Sequence, residues 1–490
     1  MSPNAIALAT IFTIIATGTG IGFLAGARRK MDLEEWTVGA RGFGVVFMYL
    51  LMAGEVYTTF SFLGASGWAY SRGGPTLYIL AYLTLAYVVS FFILPPIWEL
   101  GRKYCLQTQS DFFRLRYGNE YLAAFVCLIG VASLVPYVQL QLTGLGIIVG
   151  IASFDGIGRT PAMVISVMLV AAFVYASGVR AVAWISVLKD ALMILVAVSV
   201  GIGIPYIHFG GIGPMFVALV HARPTHLIMP GATVNLGHTW YISTVLLTSL
   251  GFYMWPHAFG TTFTAKSDTT LRRNAVVMPL YTTTIVFVFF AGLAAVLVLP
   301  GLPNGDLALL MIVRKSFPPW FLGVVGGAGA LTAMVPAAIF TLTAATLFAK
   351  NLFRPLFAPW MSDDQVSKLA RVMVVVLSLV SVYFAIYSSA TLVSLLLLGY
   401  AGVTQLFPGV VLGLYWKSAT ARGVFAGIIA GIGIAAFLFL SKRDPWFGWS
   451  AGFIGLCVNF LITVLVTLLA PDRGRDIPML SGSCRSKYPS

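Results

Sequence analysis

The stretch AGEVYTTFSFLGASG, residues 53–67, lies inside an apolar run and combines a carboxylate with hydroxyl groups and glycines. A second stretch, GFYMWPHAFG at residues 251–260, places Pro256 and His257 in another apolar run. Glycine and proline at these depths predict interrupted helices, whose freed backbone groups a bilayer tolerates only where protein or a water-filled cavity satisfies them. Such interruptions tend to mark ion and substrate sites. We therefore expect unwound segments near residues 54–58 and 251–256.

The composition around these stretches excludes a soluble enzyme. Of 490 residues, 59% are hydrophobic and 9% are charged, against roughly 25% charged in soluble domains. Apolar runs of about 20 residues recur along the chain, and each can cross a ~30 Å hydrocarbon core. The net charge of +14 falls in short loops beside these runs, which is typical of membrane orientation and not of nucleic-acid binding. The sequence predicts one all-α transmembrane domain over residues 1–490, with the lipid bilayer as its partner.

Hydropathy and loop charges together predict thirteen membrane spans. They lie near residues 5–26, 43–70, 75–98, 120–150, 160–178, 182–206, 236–265, 274–299, 319–349, 367–388, 391–415, 420–440 and 447–470. Of the thirty Lys and Arg residues, twenty-two then fall on one side, seven fall on the other, and Lys189 lies inside a span. The positive-inside rule places the richer side in the cytoplasm. We therefore expect a protein of the cell (inner) membrane, with its N-terminus outside and its C-terminus inside.

The two interrupted spans occupy corresponding positions. They are the second and the seventh, and an offset of five spans makes two five-span units enter the membrane from opposite sides. This geometry is that of an inverted repeat, here residues 43–206 and 236–415. The alternative is that these glycines and prolines only aid helix packing.

Six motifs carry a resemblance to a known family. They are WTVGARGFG (36–44), VPYVQLQLTGLG (135–146), SGVRAVAWISVLKD (177–190), PHAFGTTFTAKSDTTLRRNAVVMPLY (256–281), VPAAIFTLTAATLFAKNLF (335–353) and GYAGVTQLFPGVVLGLYWKSATARG (399–423). Together they resemble the sodium:solute symporter family, and most closely its monocarboxylate-permease branch. The resemblance implies a LeuT-like fold of thirteen spans, in which spans two to six and seven to eleven form the repeats.

The resemblance also implies a sodium site, from which this sequence departs. By position, the family's carbonyl ligands fall near Ala53 and Val56 in the second span and near Thr332 in the ninth. The two positions that are usually Ser or Thr are Val335 and Pro336, which have no side-chain oxygen. Sodium needs several oxygen ligands, so this loss weakens the site. A shift of register that lets Thr332, Thr341 or Thr343 compensate is the alternative.

Charged residues within the spans offer another coupling ion. Glu55 lies at the expected interruption, where a lone carboxylate costs roughly 2.5 to 3.5 kcal/mol unless it is paired or protonated. This makes Glu55 a candidate proton carrier. The ammonium group of Lys189 is a candidate to fill the vacated cation site, with snorkelling to the cytoplasmic face and local pairing with Asp190 as the alternative. His257 is a further titratable group, or a donor to a freed carbonyl.

The resemblance places the substrate cavity between spans two, four, seven and eleven. The polar and aromatic candidates on these spans are Tyr57, Thr58, Gln139, Gln141, Tyr253, Trp255 and Gln405. No Arg falls within these spans, so a carboxylate would be held by half-helix N-termini, hydroxyls and amides. This set suits a small monoanion.

The sequence therefore predicts a secondary symporter that imports a small organic solute, foremost a monocarboxylate, by alternating access. A proton is favoured over sodium as the coupling ion, and no catalytic cofactor or firm metal site is expected. The first alternative is a sodium-coupled symporter of an amino acid, a sugar or another small solute, with Na⁺ near Ala53, Val56 and Thr332. An intramembrane enzyme and a transporter-like sensor are the others. The oligomeric state is left open.

Overall fold

The fold is seen in a computed structural model, which describes residues 2–26, 44–176, 179–233 and 235–471. Over these residues the chain is almost entirely helical and contains no strand. The all-α prediction is confirmed. Most of the motif at 36–44, the first two residues of the motif at 177–190 and the basic tail after residue 471 lie outside the described residues.

The helices are numbered here in chain order. They are α1 (Pro3–Gly26), α2 (Val45–Val56), α3 (Ala65–Ser71), α4 (Tyr78–Tyr104), α5 (Gln109–Tyr117), α6 (Glu120–Ala152), α7 (Arg159–Ala176), α8 (Val179–Phe209), α9 (Ile212–Ala222), α10 (His238–Gly251), α11 (Pro256–Thr262), α12 (Asp268–Thr282), α13 (Ile285–Val298), α14 (Ala308–Ser316), α15 (Pro319–Leu347), α16 (Arg354–Phe357), α17 (Asp363–Tyr387), α18 (Leu392–Val403), α19 (Phe407–Tyr415), α20 (Ala421–Leu440) and α21 (Ala451–Leu469). Short π-helical turns cover Phe60–Gly64 and Phe348–Phe353, and 3₁₀ turns cover Gly74–Leu77, Phe252–Met254, Gly305–Leu307 and Thr404–Leu406.

Ten of the described helical segments are long and apolar enough to cross a bilayer. The three other predicted spans are helical too: residues 43–70 coincide with α2 and α3, residues 160–178 with α7, and residues 236–265 with α10 and α11. Two of these three are divided by interruptions, so neither half alone has the length of a span. The chain is a multi-pass helical membrane protein, and the count of thirteen spans stays a prediction.

Both expected interruptions are present. α2 ends at Val56, and Tyr57 is extended before the helix resumes in a π-helical turn that leads into α3. α10 ends at Gly251, a single 3₁₀ turn follows, and Trp255 leaves the helical region with φ −59° and ψ 131°. Pro256, which lacks an N–H, then begins α11. The prediction of unwound segments at these two places is confirmed.

A third interruption, which the hydropathy pattern did not indicate, divides the span at 274–299. α12 ends at Thr282 and α13 begins at Ile285. The hydroxyls of Thr282 and Thr283 each donate to the Pro279 carbonyl at 2.9 Å. Such back-bonds compete with the helical ladder, and the proline removes one of its donors. The run of threonines after Pro279 therefore explains the interruption.

α15 lies at the centre of the bundle, between α1, α6, α8 and α17. Small residues allow this close packing. A Cβ on Gly323 would lie 2.6 Å from the Cβ of Thr10 and 2.8 Å from the Ala7 carbonyl, so only glycine admits α1 at this point. α20 and α21 pack chiefly against each other at one edge. The interruptions of spans two and seven thus lie beside a buried, glycine-rich helix.

Candidate functional site

The ammonium group of Lys189, on α8, lies at the interruption of the second span. Its Nζ donates hydrogen bonds to the carbonyl oxygens of Gly54 at 2.7 Å and Tyr57 at 3.0 Å. The same atom lies 3.2 Å from Oδ1 of Asp190. Lys189 has no exposed surface, which excludes the snorkelling alternative. A tethered cation therefore lies among oxygens that the unwound backbone makes available.

These carbonyls lie one residue after the pair that the resemblance implied. The Ala53 carbonyl accepts from the N–H of Tyr57 at 3.4 Å, and the Val56 carbonyl accepts from the Ser61 hydroxyl at 2.8 Å. Both oxygens are therefore engaged in local bonds. The cation contacts Gly54 and Tyr57 instead, because those are the carbonyls that the interruption frees.

The α15 side of this region supplies little oxygen. Thr332, Val335 and Pro336 are all buried. The Thr332 hydroxyl has no hydrogen-bond partner among the described residues. The hydroxyl of Thr341, one candidate for a shifted register, donates to the Ala337 carbonyl at 2.7 Å. Among the three positions that the resemblance implied, only Thr332 therefore carries a hydroxyl.

Asp190 connects the cation to a tyrosine cluster. Its Oδ1 accepts from the hydroxyl of Tyr281, on α12, at 2.9 Å, and its Oδ2 has no partner among the described residues. The rings of Tyr281 and Tyr57 meet edge to face with centroids 5.1 Å apart. The Tyr57 hydroxyl bonds to that of Thr284, at the third interruption. A buried polar chain thus links the interruptions of spans two and eight, and the substrate candidate Tyr57 is part of it.

Glu55 lies on the other side of α2, in a cleft. The cleft measures about 610 Å³ including space open to solvent, and α2, α11, α15 and the segment before α5 line it. The hydroxyl of Thr261 donates to Oε1 of Glu55 at 2.7 Å. Thr261 was not a sequence candidate, although it follows His257 by four residues and so shares its helix face.

Two polar atoms that line this cleft lack partners among the described residues. They are Nδ1 of His257 and the hydroxyl oxygen of Thr346, and both side chains are about 5% exposed. Buried polar atoms are nearly always hydrogen-bonded, so each unpartnered atom needs an explanation. The sequence indicated His257 but not Thr346. α15 contains several threonines, and nothing in the sequence distinguished Thr346 from the others. A bound ligand or water is the simplest partner for both atoms.

Gln141, on α6, holds the second-span interruption in place. Its Oε1 accepts from both the N–H and the hydroxyl of Thr59, at 3.2 and 2.8 Å. The N–H of Thr58 donates to the Ser61 hydroxyl at 2.9 Å, and that of Phe60 donates to the Thr58 hydroxyl. Three freed N–H groups are therefore already satisfied. Side chains therefore occupy these donors at the second span, and the expectation that half-helix N-termini, hydroxyls and amides hold a carboxylate stays a prediction.

The aromatic candidates pack around the interruption of the seventh span. Trp255 lies between Tyr137 and Tyr400, with ring centroids 4.7 and 5.4 Å away. Tyr253 is buried beside Phe252. Tyr137, which lies in one of the six motifs but was not singled out, also contacts the rings of His257 and Phe340. These rings close the space between the two interruptions.

Two further glutamines point elsewhere. Gln139 donates to the Phe384 carbonyl on α17 at 3.4 Å. Gln405 donates to the carbonyls of Ala401 and Gly452 and accepts from the Asn459 amide at 3.1 Å. Gln405 is thus fixed against α21, and the structure does not bring it to Glu55 or to Lys189. Hydropathy does not specify how each helix is rotated about its axis, so the sequence could not distinguish these glutamines from Gln141.

Two loops cover α3, the C-terminal part of the second span. In the loop after α9, His226 Nε2 lies 2.9 Å from the Ala69 carbonyl. The loop after α13 carries Asp306. Its Oδ2 accepts a hydrogen bond, at 3.0 Å, from the N–H of Leu392, which is the first residue of α18. A Cβ on Gly67 would lie 2.8 Å from Asp306, so this loop lies directly on α3. Burial raises the pKa of Asp306 to about 6, although its bond to Leu392 opposes the shift.

A charged cluster lies at the opposite end of the bundle, below the cleft. Asp111 on α5 bonds to Arg114 and to Lys350, at 3.0 and 3.3 Å. Lys350 also donates to Oε1 of Gln107 at 2.6 Å, and Gln107 lines the cleft. Burial opposes the charge of Asp111, but Lys350 and Arg114 outweigh it and hold the pKa of this carboxyl below its ordinary value. The cluster ties α5 to the end of α15.

Comparison with known proteins identifies similar chains. The model of the sodium:solute symporter family matches residues 36–431. The uncharacterised symporter YhjB of Bacillus subtilis is 43% identical over 94% of this chain and 97% of its own length. A monocarboxylate transport permease protein of Rhizobium johnstonii is 27% identical over 96% of this chain and 98% of its own.

Solved structures show the same fold. A Na⁺-coupled sialic acid symporter superposes with a TM-score of 0.80 at 18% identity, covering 96% of this chain and 99% of the other. Mhp1, a nucleobase-cation-symport-1 family transporter, gives a TM-score of 0.57 at 12% identity, with 89% and 95% coverage. The expected LeuT-like fold is confirmed.

Proposed function

This chain belongs to the sodium:solute symporter family, and from that premise we propose that it imports a small monocarboxylate together with a proton. Cation-coupled symport is the property of the family, whose members are transporters and not enzymes. The observation behind the coupling ion is the cation at the second-span interruption. It is a tethered ammonium group, and its carbonyl contacts lie one residue after those that the resemblance implies for a sodium ion.

The contacts of Lys189 are the observation that carries the choice of a proton. Its Nζ already has three oxygen acceptors, at Gly54, Tyr57 and Asp190. A sodium ion at the same place would meet the repulsion of a buried ammonium. Val335 and Pro336 also supply no side-chain oxygen on α15. An ammonium group that takes up these oxygens removes the need for a metal ion at the interruption.

Glu55 is then the group that carries the proton. It lines the cleft, so a proton and a substrate can reach it by the same path. A protonated Glu55 is neutral and can remain buried when the cleft closes, whereas the carboxylate is costly at membrane depth. Lys189 holds the interruption while Glu55 exchanges its proton. Transport thus couples substrate movement to the protonation of Glu55.

A monocarboxylate is the substrate that the similarities favour. The Rhizobium relative is named a monocarboxylate transport permease, and it aligns over nearly the full length of this chain. No Lys or Arg side chain lines the described cleft, which suits one negative charge better than two. The alternative is sodium-coupled transport of another small solute. A sodium/pantothenate symporter of Haemophilus influenzae, 24% identical, supports the sodium coupling in this alternative and not the change of solute.

The proposal includes the placement of the chain in the cell membrane. The inverted repeats cover residues 43–206 and 236–415, and each begins with an interrupted span. The N-terminus lies outside and the C-terminus lies in the cytoplasm. On this orientation, the two loops over α3 are external and the Asp111 cluster is cytoplasmic.

Uptake into proteoliposomes tests the coupling ion. Labelled monocarboxylates, amino acids and sugars are offered under an inward pH gradient or an inward sodium gradient. We expect a monocarboxylate to accumulate with the pH gradient alone. Glu55→Gln abolishes this accumulation while exchange persists, and Lys189→Ala impairs it. Lys368→Ala, at an exposed i,i+4 pair with Asp364, serves as the control and transports normally. Uptake that collapses when choline replaces sodium at constant pH, and that survives an uncoupler, contradicts the proposal.

A further inference from the structure

The cleft beside Glu55 has one polar wall and one apolar wall. α2 and α11 contribute Glu55, His257 and Thr261. α15 contributes Ile339 and Leu342, which are called the apolar wall here, and it also carries the hydroxyl-bearing Thr343 and Thr346. A ligand that fits both walls has a polar head and a short apolar body.

The polar groups of the cleft, on α11 as well as α15, have unused hydrogen-bonding capacity. Nδ1 of His257 has no partner among the described residues, and neither does the Thr346 hydroxyl at the same cleft. One oxygen of Glu55 accepts from Thr261, and the other has no bond to a described side chain. These groups can bind a small polar head without any existing bond being broken.

We propose that this cleft binds the carboxyl group of a short-chain aliphatic monocarboxylic acid through one proton shared with Glu55. This inference rests on the proposed function and gives its substrate a location. Two carboxylates side by side repel, and no cationic side chain lines the described cleft to separate them. With one proton between them, the pair forms an O–H···O⁻ hydrogen bond, which is short and strong. The pair then carries one negative charge instead of two.

The remaining contacts complete the binding position. His257 in its Nδ1–H tautomer donates a second hydrogen bond to the acid, since its ring lies at the same cleft. The alkyl body lies against Ile339 and Leu342, and its surface is thereby removed from water. Gln107, which Lys350 holds, lies at the mouth of the cleft. This position is therefore separate from the interruption that holds Lys189, and Gln107 and Lys350 connect it to the Asp111 cluster.

Several ionisable groups face Glu55 from the surrounding elements. They are His257 on α11, Lys189 on α8, Tyr87 on α4, Tyr137 on α6 and Tyr253 in the 3₁₀ turn. Lys189 is committed to its three oxygens, and the tyrosines stay neutral in the ordinary pH range. His257 serves as the neutral Nδ1–H donor, and the proton that accompanies the acid is assigned to Glu55. Glu55→Gln and His257→Ala separate the two groups, because only loss of the Glu55 carboxyl removes the proton uptake.

Calorimetry on the purified full-length protein tests this position with butyrate as the probe. Titrations between pH 5.5 and 8, in buffers of different ionisation enthalpy, report the protons taken up per butyrate bound. We expect uptake approaching one proton above neutral pH, and little binding of neutral butyramide or cationic butylamine. Glu55→Gln keeps an N–H donor for the acid but binds it without proton uptake. His257→Ala weakens binding.

Chain length tests the apolar wall. Each added methylene from acetate to butyrate tightens binding by about fourfold if it leaves water completely. Leu342→Ala reduces this increment, and Leu356→Ala, which lies outside the cleft, does not.

Butyrate binding without proton uptake, equal binding of butyramide, tighter binding of butylamine, or no binding of any acid in the series overturns the inference. Proton uptake on binding together with sodium-driven transport in liposomes preserves this position and rejects the proposed coupling ion.

Discussion

Lys189 and Glu55 are both buried ionisable residues, but their hydrogen-bond partners and surroundings differ. Lys189 has three oxygen acceptors and no exposed surface. Removing one partner of such a buried charge is strongly destabilising. Lys189 is therefore suited to be a fixed structural cation. Glu55 has one hydrogen bond, from Thr261, and faces a cleft. A carboxyl with an unused oxygen beside a cleft is suited to exchange.

Asp306 gives a pH dependence that can be measured at the residue scale. Burial raises its pKa from 3.8 to about 6. The folded protein therefore binds this proton more tightly than the unfolded chain does. The resulting stabilisation is complete below about pH 4 and is lost as the pH rises through about 6, a difference of roughly 3 kcal/mol for a shift of two pKa units. Asp306→Asn keeps an oxygen for the Leu392 N–H but carries no charge.

We expect the melting temperature of the parent protein to fall between pH 5 and 7, and that of Asp306→Asn to stay nearly level. At pH 7 the variant should be more stable by about 1–3 kcal/mol. Thermal unfolding in detergent at several pH values measures this. Asp364→Asn, at a carboxylate that is 73% exposed, is the control and should follow the parent. Parallel curves for the parent and Asp306→Asn would show that this carboxyl does not titrate there.

At the scale of elements, three spans are interrupted, and each interruption has a different local cause. The second span opens at the Gly54–Thr58 region, the seventh at Pro256, and the eighth at the threonines after Pro279. The freed groups of the second span are taken up by Gln141, Ser61 and Thr58. An interruption of this kind is therefore a fixed structure and not a loose hinge.

Gln141→Leu should destabilise the second-span interruption. The change leaves the buried N–H of Thr59 without its acceptor, and the Thr59 hydroxyl keeps only the Leu140 carbonyl at 3.3 Å. The expected cost is about 1–3 kcal/mol. Thermal unfolding and uptake should both decline. The matched control is Gln139→Leu on the same helix, because that amide makes one bond of 3.4 Å to a carbonyl. Equal losses in the two variants would refute a specific role for Gln141.

At the scale of the whole molecule, the two ends of the bundle are closed to different degrees. The loops with His226 and Asp306 cover α3 at one end. The cleft beside Glu55 extends toward Gln107 and the Asp111 cluster at the other. With the proposed orientation, the structure is sealed from outside and holds a cleft on the cytoplasmic side. This arrangement corresponds to one stage of alternating access.

Epitope insertion tests this orientation. A tag within residues 300–304, between α13 and the turn that carries Asp306, should be labelled by antibody on intact cells. A tag within residues 358–362, between α16 and α17, should be labelled only after the membrane is permeabilised. The reverse pattern would invert the assignment and place the cleft outside. Uptake by each tagged protein shows that the insertion has preserved the fold.

Several residues of the site were predictable because their chemistry is unusual for their position. A carboxylate at 55 and an ammonium at 189 stand out in apolar spans, and glycines or proline mark the interruptions near 54 and 256. Thr261 and Thr346 were not predictable in this way, since threonine is common in membrane helices. Their importance comes from what they face.

The sequence by itself determined the class of fold, the interrupted spans and the two unusual charges, because hydropathy, glycine and proline act locally along the chain. Only the tertiary structure decided that Lys189 reaches Gly54 and Tyr57, that Gln141 binds the interruption, and that Gln405 packs on α21. These facts depend on how each helix is rotated about its axis. In an almost uniformly apolar chain the hydrophobic pattern does not specify that rotation, whereas the packing of small residues between helices does.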